Sequence, residues 1–398
     1  MLGTIIKKPE QAVILAGGMG TRLRPLTNTR PKPMIEFNNK PFLQYLIELL
    51  REQGFARILL LLGYLPEVII DYFEDGKAFG IDIDYSVTEV SNETGRRLKL
   101  ASEKIDDYFF LMYCDNYWPM DFDRMWMHFV KQRVIAQTTV YRNSDNYTKS
   151  NVQFDNSKVV CYDKSRRGVG LNGVDIGYCI FKKEVIDLIP DENINFEGAV
   201  YPLLTQRNQL AAYVTDHRYY SVGSHERLGI TEAFLKDKKA IILDRDGVIN
   251  RKPAKADYVK TWDEFEWLEG SREAIRLLKE SGYQVIVITN QAGIARGIMS
   301  EDDLEDIHAK MNTDLLRYNA QIDRFYYCPH GWDDGCDCRK PKPGMLYKAQ
   351  QDYNLNLTKT VFIGDDYRDK EAGDAAGCRT ILVSQGESLF ETVKDLLI

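Results

Sequence analysis

The sequence has few of the features that place a protein in a membrane or on nucleic acid. No run of about 18 apolar residues occurs in the chain, so we expect no membrane span. The short apolar run near its start lacks the cleavage site of a secretory signal. Acidic residues outnumber basic ones, 59 to 52, and the formal net charge of −7 argues against a broad nucleic-acid surface. We therefore expect neither a membrane nor a nucleic-acid partner.

Cysteine is also scarce, with seven residues in the chain. Four of them, Cys114, Cys161, Cys179 and Cys378, lie in or beside apolar runs typical of strands, which predicts buried thiols rather than a disulfide framework. Reduced thiols are typical of the cytoplasm, so we expect a cytoplasmic protein. The other three cysteines lie together within residues 328–338.

Length and composition predict more than one domain. At about 150 residues per domain, a chain of 398 residues should form two or three. The segments "AVILAGGMGTRLRP" (12–25) and "AIILDRDGVIN" (240–250) each look like the first strand and turn of an α/β domain. A polar, lysine-rich stretch precedes the second segment and predicts a boundary there. The predicted domains are residues 1–236 and 237–398.

Strand-like apolar runs alternate with helix-like segments in both halves. "FLQYLIELLREQG" (42–54) is typical of a helix, "ARILLLLGY" (56–64) of a buried strand, and "DYFFLMYCDNYW" (107–118) predicts one further strand. This alternation predicts the α/β class, with a mainly parallel sheet in each half and helices on both faces. Ligands of such sheets bind beyond the carboxyl ends of the strands.

The first glycine-rich segment has the composition of a phosphate-binding loop. Its glycines allow backbone N–H groups to approach a phosphate, and Arg22 and Arg24 can add charge-assisted hydrogen bonds. Lys32 lies between two prolines in "RPKPM", which hold it on a stiff loop. The predicted nucleotide-binding residues are Leu15, Ala16, Gly17, Gly18, Gly20, Thr21, Arg22 and Lys32.

The loop and "RPKPM" together resemble the sugar-1-phosphate nucleotidyltransferase family, which implies a Rossmann-like domain with a GT-A-like mixed sheet. In that family a sugar 1-phosphate attacks the α-phosphate of an NTP and releases pyrophosphate, mainly through positioning and charge neutralisation. The resemblance implies that Arg22 stabilises the leaving pyrophosphate, Lys32 contacts the reacting phosphates and Asp115 holds Mg²⁺. It also implies that Lys164 grips the sugar phosphate beside a sugar-binding strand at 173–181.

Two departures from the family pattern affect what can be carried over. Ser221 stands where the family commonly has a second metal-binding aspartate, and a hydroxyl is a poor ligand for Mg²⁺. The metal would then rest on Asp115 with substrate oxygens, or on Asp216 or Glu197. In "NETGRRLKL" (92–100), two arginines replace small residues of the base-reading loop, so the base preference is not carried over. A non-catalytic regulatory module that binds a nucleotide or sugar phosphate is the alternative.

The second half has reactive residue types at four strand ends. Asp244 and Asp246 follow "AIIL", Thr289 ends the next apolar run, Lys340 follows the cysteine-rich stretch, and Asp365 follows "VFIG". The carboxyl ends of parallel strands meet at one edge of a sheet, so we expect these side chains to converge. The neighbouring residues predicted to bind substrate are Asn290, Gln291 and Arg339.

This set resembles the haloacid dehalogenase-like (HAD-like) phosphohydrolases, which implies a Rossmann-like parallel sheet. The resemblance implies that Asp244 attacks phosphorus and forms a phosphoaspartate, while Asp246 is general acid and then general base. It further implies Mg²⁺ held by Asp244, the Asp246 carbonyl and Asp365. Thr289 and Lys340 would hold the phosphoryl oxygens.

The cysteine-rich stretch "CPHGWDDGCDC" (328–338) has the spacing of a metal clip. Its potential ligands are Cys328, His330, Cys336 and Cys338. Three thiolates and one imidazole can fill the tetrahedral shell of Zn²⁺ and leave no position for substrate, so we expect a structural zinc ion. Because the clip leads directly into Arg339 and Lys340, we expect it to anchor these two phosphate-contacting residues.

Two further features narrow the second resemblance. Residues 247–288, between Asp246 and Thr289, are too few for a full cap domain, so we expect a minimal cap and an open mouth. A zinc loop that leads into "CRKPKPGM" (338–345), together with "DRDGVIN" (244–250), resembles the D-glycero-D-manno-heptose 1,7-bisphosphate 7-phosphatases. The histidinol-phosphate phosphatases, which share the zinc clip, are the alternative.

The two resemblances together predict a bifunctional enzyme of NDP-heptose biosynthesis. A phosphatase acting at C7 of heptose 1,7-bisphosphate releases heptose 1-phosphate, which a nucleotidyltransferase consumes. Guanylyltransferases of this fold make GDP-heptose, so GTP is the first choice of donor. The expected partners are small molecules, namely heptose phosphates and an NTP. The expected cofactors are Mg²⁺ in both domains and structural Zn²⁺ in the phosphatase. No feature of the sequence indicates an oligomeric state.

Overall fold

A computed structural model describes residues 7–236, 238–254, 256–384 and 386–397. The chain divides into two separately packed units, Met1–Leu235 (the first unit) and Lys236–Ile398 (the second unit). The boundary that the sequence predicts, after residue 236, lies beside this division. None of the described helices combines the length and the apolar character that crossing a membrane requires.

The first unit is built on a nine-stranded mixed sheet, in the order β5-β4-β1-β6-β11-β8-β12-β10-β9. Strands β5, β4, β1 and β6 are parallel, and β11 runs antiparallel to both β6 and β8. The nine strands of this sheet are β1 (Gln11–Leu15), β4 (Arg57–Leu62), β5 (Asp82–Val87), β6 (Tyr108–Tyr113), β8 (Ala136–Tyr141), β9 (Val152–Asp155), β10 (Lys158–Tyr162), β11 (Val174–Lys182) and β12 (Leu210–Thr215). Four short strands form two separate two-stranded sheets, β2 (Glu36–Phe37) with β3 (Lys40–Pro41) and β7 (Asn116–Tyr117) with β13 (Tyr220–Ser221).

Helices cover both faces of this sheet and produce two apolar clusters. All residues of β4 after Arg57 are buried, because a central parallel strand packs against helices on each side. The helices are α1 (Phe42–Glu52), α2 (Pro66–Phe73), α3 (Thr94–Leu100), α4 (Phe122–Gln132), α5 (Phe196–Gln206) and α6 (His225–Leu235).

The second unit has a five-stranded sheet in which all neighbours are parallel, in the order β16-β15-β14-β17-β18. Its strands are β14 (Ala240–Leu243), β15 (Gln284–Asn290), β16 (Arg324–Cys328), β17 (Val361–Gly364) and β18 (Arg379–Leu382). Its helices are α7 (Ser271–Glu280), α8 (Glu301–Leu316), α9 (Gly344–Tyr353), α10 (Tyr367–Ala376) and α11 (Leu389–Leu397). The predicted fold class, two α/β domains of which one has a mixed and one a parallel sheet, is confirmed.

Two local expectations are wrong. The predicted strand 107–118 is broken, because the backbone turns at Cys114 and Asp115 between β6 and β7. The turn leaves Asp115 at the carboxyl end of β6, where a ligand can reach it. Cys161, expected to be buried, is exposed. It lies on β10, where the register shifts between Val159 and Cys161, so that the alternation is interrupted and both Val160 and Cys161 face solvent.

Candidate active sites

The glycine-rich loop follows β1 at the carboxyl edge of the first sheet. The N–H of Ala16 donates to the carbonyl of Leu61 (3.0 Å), which holds the start of the loop beside the end of β4. Gly20 has a φ of 62°, and a Cβ at this position would lie 2.9 Å from Cβ of Lys32. Only glycine combines this backbone conformation with this contact. The turn therefore brings the loop and Lys32 together.

Lys32 and Asp115 form an ion pair at this site, with Nζ of Lys32 2.8 Å from Oδ2 of Asp115. Burial lowers the pKa of Lys32, but the Asp115 carboxylate outweighs it, and the pKa lies above its usual value. Burial also opposes the ionisation of Asp115, yet Lys32, with a contribution from Arg22, holds the pKa of Asp115 below its usual value. Both partners are therefore charged, and Arg22 lies near enough to act on each.

The guanidinium of Arg97 is buried beside the glycine-rich loop. It donates to the carbonyls of Leu62 (2.6 Å), Gly17 (3.3 Å), Glu89 (3.1 Å) and Val90 (3.2 Å), and to the hydroxyl of Thr88 (2.5 Å). A Cβ on Gly17 or Gly63 would lie 2.4 or 2.5 Å from guanidinium atoms, so both positions require glycine. The sequence indicated arginines in place of small residues, but it did not indicate that one would fill the space between two strand ends.

Polar residues predicted for the sugar side lie near β11. Nζ of Lys164 lies 3.8 Å from Oε2 of Glu197, which belongs to α5 and is buried. Burial, followed by the neighbouring Glu197, raises the pKa of the Tyr113 hydroxyl well above its usual value. Asp175, on β11, accepts a hydrogen bond from the Thr138 hydroxyl (2.7 Å), and burial raises its pKa to about 6. This group presents several polar atoms of the kind that bind sugar hydroxyls.

Few potential metal ligands lie near Asp115 among the described residues. Strand β13 pairs with β7, and the N–H of Val222 donates to the Asp115 carbonyl (2.9 Å), so Ser221 lies beside Asp115. Asp216 accepts a hydrogen bond from an arginine side chain. No group of three or more candidate metal ligands surrounds Asp115 within the described residues. Mg²⁺ can be bound by a single carboxylate when substrate phosphates supply further oxygens, so Asp115 fits a metal that arrives with a nucleotide.

Asp244 and Lys340 form the centre of the second site. Asp244 follows β14 directly, and its Oδ1 lies 2.8 Å from Nζ of Lys340, which also lies 2.7 Å from Oδ1 of Asp369. The lysine side chain is 3% exposed, so these two carboxylates supply the negative charge that a buried ammonium needs. Burial raises the pKa of Asp244, while the ammonium of Lys340 acts in the opposite direction and favours the charged carboxylate.

Three side chains hold the Asp246 carboxylate. It accepts hydrogen bonds from Arg245 (2.9 Å), Asn250 (2.9 Å) and Gln291 (2.9 Å). Burial opposes its ionisation, but Arg245 and the amide donors hold the pKa of Asp246 below its usual value. Gln291 also donates to the Thr289 hydroxyl (2.8 Å). The sequence predicted that Gln291 binds substrate. Because Gln291 is fully buried, it instead orients Asp246 and Thr289.

Carboxylates converge at the strand ends of the second sheet. Asp244, Asp365 and Asp369 each offer an oxygen, and these oxygens lie within 4.8 Å of one another. A Cβ on Gly247, whose φ is 97°, would lie 2.1 Å from Oδ2 of Asp365, so glycine permits this approach. Oδ1 of Asp365 is buried and has no hydrogen-bond partner within the described residues. This donor set fits Mg²⁺. Asp369, the third aspartate of "GDDYRD" (364–369), was missed in the sequence.

Lys340 is held by its backbone as well as by its ion pairs. Its N–H donates to Oδ1 of Asn290, and Nδ2 of Asn290 donates to the Lys340 carbonyl, both at 3.1 Å. Asn290 ends β15, so this pair attaches Lys340 to a strand end. Arg339 donates to the His330 carbonyl (3.4 Å) and forms no ion pair with any described carboxylate. Its charge is therefore available to an anionic ligand.

The four residues of the predicted clip lie together after β16. Five of the separations among the thiol sulfurs and Nδ1 of His330 are 3.2 to 3.6 Å. A tetrahedral ion with Zn–S bonds of about 2.3 Å requires separations of roughly 3.5 to 3.8 Å. Three of the five separations lie in this range and two are shorter, so small movements of the ligand atoms of Cys328, His330, Cys336 and Cys338 allow them to close around one zinc ion.

A cavity of about 540 Å³ opens over the second site. Its wall includes Asp244, Asp246, Thr289, Asn290, Lys340 and Asp365, the residues that the sequence placed at strand ends. The positively charged side chains of Lys252, Arg339 and Arg368 also line this cavity. The combination of a buried nucleophile candidate, a metal-binding carboxylate set and several cations fits a phosphorylated small molecule.

Comparison with known proteins assigns a relative to each unit. Residues 11–239 match the model of the nucleotidyl transferase family, and residues 337–396 match a HAD-hydrolase-like model. The D-glycero-beta-D-manno-heptose-1,7-bisphosphate 7-phosphatase of Pseudomonas aeruginosa is 44% identical over 159 residues, which are 40% of this chain and 88% of that protein. The enzyme of the same name from Neisseria meningitidis serogroup A is 42% identical over 149 residues, 37% of this chain and 79% of that protein.

A solved structure resembles the first unit. HddC from Yersinia pseudotuberculosis is 26% identical, with a TM-score of 0.50, and the likeness covers 57% of this chain and 99% of that one.

Proposed function

Because the chain belongs to the nucleotidyl transferase family over its first unit and to the heptose-1,7-bisphosphate 7-phosphatases over its second, we propose that it is a bifunctional enzyme of NDP-heptose biosynthesis. Residues 237–398 would remove the C7 phosphate of D-glycero-D-manno-heptose 1,7-bisphosphate. Residues 1–236 would then join heptose 1-phosphate to a nucleotidyl group, with GTP as the proposed donor. The observation that carries this proposal is the presence of two such sites in one chain, since the product of one is the substrate of the other.

In the phosphatase, Asp244 is the proposed nucleophile. Its carboxylate oxygen forms a bond to phosphorus as the bond to the C7 oxygen breaks. Asp246 is ionised in the free protein, takes up a proton as the anionic substrate binds, and donates it to the leaving oxygen. Asp246 then accepts a proton from the water that hydrolyses the phosphoaspartate. Lys340 and Thr289 hold the phosphoryl oxygens, while Arg339 and Asn290 are proposed to bind the substrate.

Metal ions complete the proposed phosphatase. Asp244, the Asp246 carbonyl, Asp365 and Asp369 would hold Mg²⁺, which supplies charge neutralisation between the anionic nucleophile and the phosphate when it is bound. The clip at 328–338 would hold Zn²⁺. Because its loop is continuous with Lys340, it would also keep the Lys340 backbone in hydrogen-bonding contact with Asn290.

In the transferase, an oxygen of the sugar phosphate attacks the α-phosphorus and pyrophosphate leaves. Arg22 and Lys32 neutralise the phosphate charge, and Lys164 holds the sugar phosphate. Asp115 would hold Mg²⁺ together with the triphosphate. The N–H groups of the glycine-rich loop contact the nucleotide, with Leu15, Ala16, Gly17, Gly18, Gly20 and Thr21 as the proposed residues.

The phosphatase is tested by comparing kcat/KM for heptose 1,7-bisphosphate with kcat/KM for histidinol phosphate. We expect a large preference for the heptose bisphosphate, and a preference for histidinol phosphate would contradict the assignment.

The transferase is tested by offering heptose 1-phosphate, as each anomer, with each of the four NTPs and measuring pyrophosphate release. We expect release with one NTP, GTP first. If NTP binds and changes the phosphatase rate without pyrophosphate release, the first unit is a regulatory module and the transferase assignment fails.

A cytoplasmic location is part of this proposal. Nucleoside triphosphates and sugar phosphates are cytoplasmic metabolites, and a zinc clip with three thiolates persists best in a reducing compartment.

A further inference from the structure

Lys252, in the loop that follows β14, forms an ion pair with Asp365, which is one of the proposed metal ligands. Its Nζ lies 2.7 Å from Oδ2 of Asp365 and 3.5 Å from Oδ2 of Asp366. Oδ1 of Asp365 has no hydrogen-bond partner within the described residues. The ammonium of Lys252 therefore supplies the positive charge that balances Asp365 in the free protein.

The other lysine and arginine with ion pairs in this cavity are held more firmly. Lys340 is 3% exposed and lies between two carboxylates, and Arg368 binds both oxygens of Asp366 at 2.9 Å. Lys252, by contrast, is 45% exposed and contacts each carboxylate through one flexible ammonium group. The Asp365 side chain is 13% exposed and needs a positive partner, so Lys252 can leave it at small cost only when a metal ion takes over that charge.

We propose that Lys252 competes with the divalent metal for Asp365 and, once displaced, binds the phosphate of the substrate. The inference rests on the proposed phosphatase function of the second unit. Two cations on one carboxylate repel each other, so metal binding drives the ammonium away from Asp365. A phosphate in the same cavity offers it a new partner. Metal and phosphate then bind cooperatively, and each raises the affinity for the other by the same factor.

The test measures Mn²⁺ and inorganic phosphate binding to the zinc-loaded, full-length chain. An Asp115→Asn background removes the proposed metal ligand of the first unit, so that Mn²⁺ counted by electron paramagnetic resonance reports the second. Without phosphate, Lys252→Met should bind Mn²⁺ about fivefold more tightly than the parent, because a competing charge is gone. With Mn²⁺ saturating, the same variant should bind inorganic phosphate about fivefold more weakly.

Three further variants serve as controls. Lys348→Met removes an exposed lysine whose ion pair with Asp352 (2.8 Å) lies outside the cavity, and it should change neither affinity. Lys252→Arg keeps the charge and should retain phosphate binding, and Lys252→Gln replaces the methionine variant if that one fails to fold.

If Lys252 has both roles, Lys252→Met must bind Mn²⁺ more tightly and inorganic phosphate more weakly than the parent. A folded Lys252→Met protein that binds Mn²⁺ no more tightly than the parent, or that binds phosphate equally well, overturns the proposal. Because neither measurement uses a heptose, absence of heptose bisphosphate hydrolysis would refute the proposed function without altering this result.

Discussion

Single charged residues at both sites are buried with partners of opposite charge. Lys32 pairs with Asp115 in the first unit, and Lys340 lies between Asp244 and Asp369 in the second. A buried charge without such a partner is costly, so these pairs are maintained in the free protein and are available to rearrange when a phosphate arrives. Arg97 differs from them, because carbonyls and one hydroxyl rather than a carboxylate surround it.

Replacing Arg97 with alanine should destabilise the first unit. The change removes the hydrogen bonds that Arg97 donates to four carbonyls and one hydroxyl, and it leaves a cavity between Gly17 and Gly63, which together should cost about 3 kcal/mol. Differential scanning calorimetry should show a lower Tm for one transition, and NTP-dependent pyrophosphate release should fall. Arg96→Ala, at the preceding and partly exposed position, is the matched control and should change little. Equal effects of the two variants would contradict a special role for Arg97.

Asp175 should make the stability of the first unit depend on pH. Burial raises the pKa of Asp175 from 3.8 to about 6, so the folded unit favours the protonated carboxyl. The contribution of Asp175 to the free energy of unfolding is therefore fully present below pH 3.8 and is lost as the pH rises to about 6. Asp175→Asn keeps the acceptor for Thr138 without the charge. We expect it to raise stability, by about 1 kcal/mol more at pH 8 than at pH 5. Calorimetry at both pH values checks this, and a gain that is equal at the two would contradict the raised pKa.

At the scale of elements, each site is assembled from strand ends and the short segments that follow them. Asp244 and Asp365 directly follow β14 and β17, Thr289 and Asn290 end β15, and the loop after β16 supplies Lys340. The clip at 328–338 precedes this lysine, and two hydrogen bonds join the lysine backbone to Asn290. The position of Lys340 therefore depends on a loop that has no strand or helix of its own.

Removal of zinc should weaken the phosphatase and leave nucleotidyl transfer intact. Without a metal, the three thiols and the imidazole of the clip no longer hold the loop, so Lys340 loses its fixed position. A chelator selective for zinc over magnesium should lower the phosphatase kcat/KM by at least about tenfold. Pyrophosphate release in the same sample is the control. Loss of transferase activity alone would mean that the clip serves the other reaction.

The whole molecule combines two units, each with its own sheet, core and site. The chemistry of one site does not require any residue of the other. The two reactions should therefore be separable by substitution.

Asp244→Asn should abolish the phosphatase without affecting the transferase. An amide cannot form the phosphoaspartate, so we expect kcat for heptose bisphosphate to fall by about 10⁴-fold or more. Pyrophosphate release from an NTP and heptose 1-phosphate should stay at the parental rate. A folded variant that lacks both activities would contradict two independent sites.

The sequence by itself determined the α/β class, the strand-end motifs and the cysteine spacing of the clip, because these depend on local patterns along the chain. The strand-end positions also predicted that Asp244, Thr289 and Asp365 would converge, but only the tertiary structure decided the following contacts. It turned Arg97 into the space between Gly17 and Gly63, buried Gln291 behind Asp246, and added Asp369 to the carboxylate set. The direction and partner of a side chain depend on neighbours that are distant in the sequence, and spacing along the chain carries no information about them.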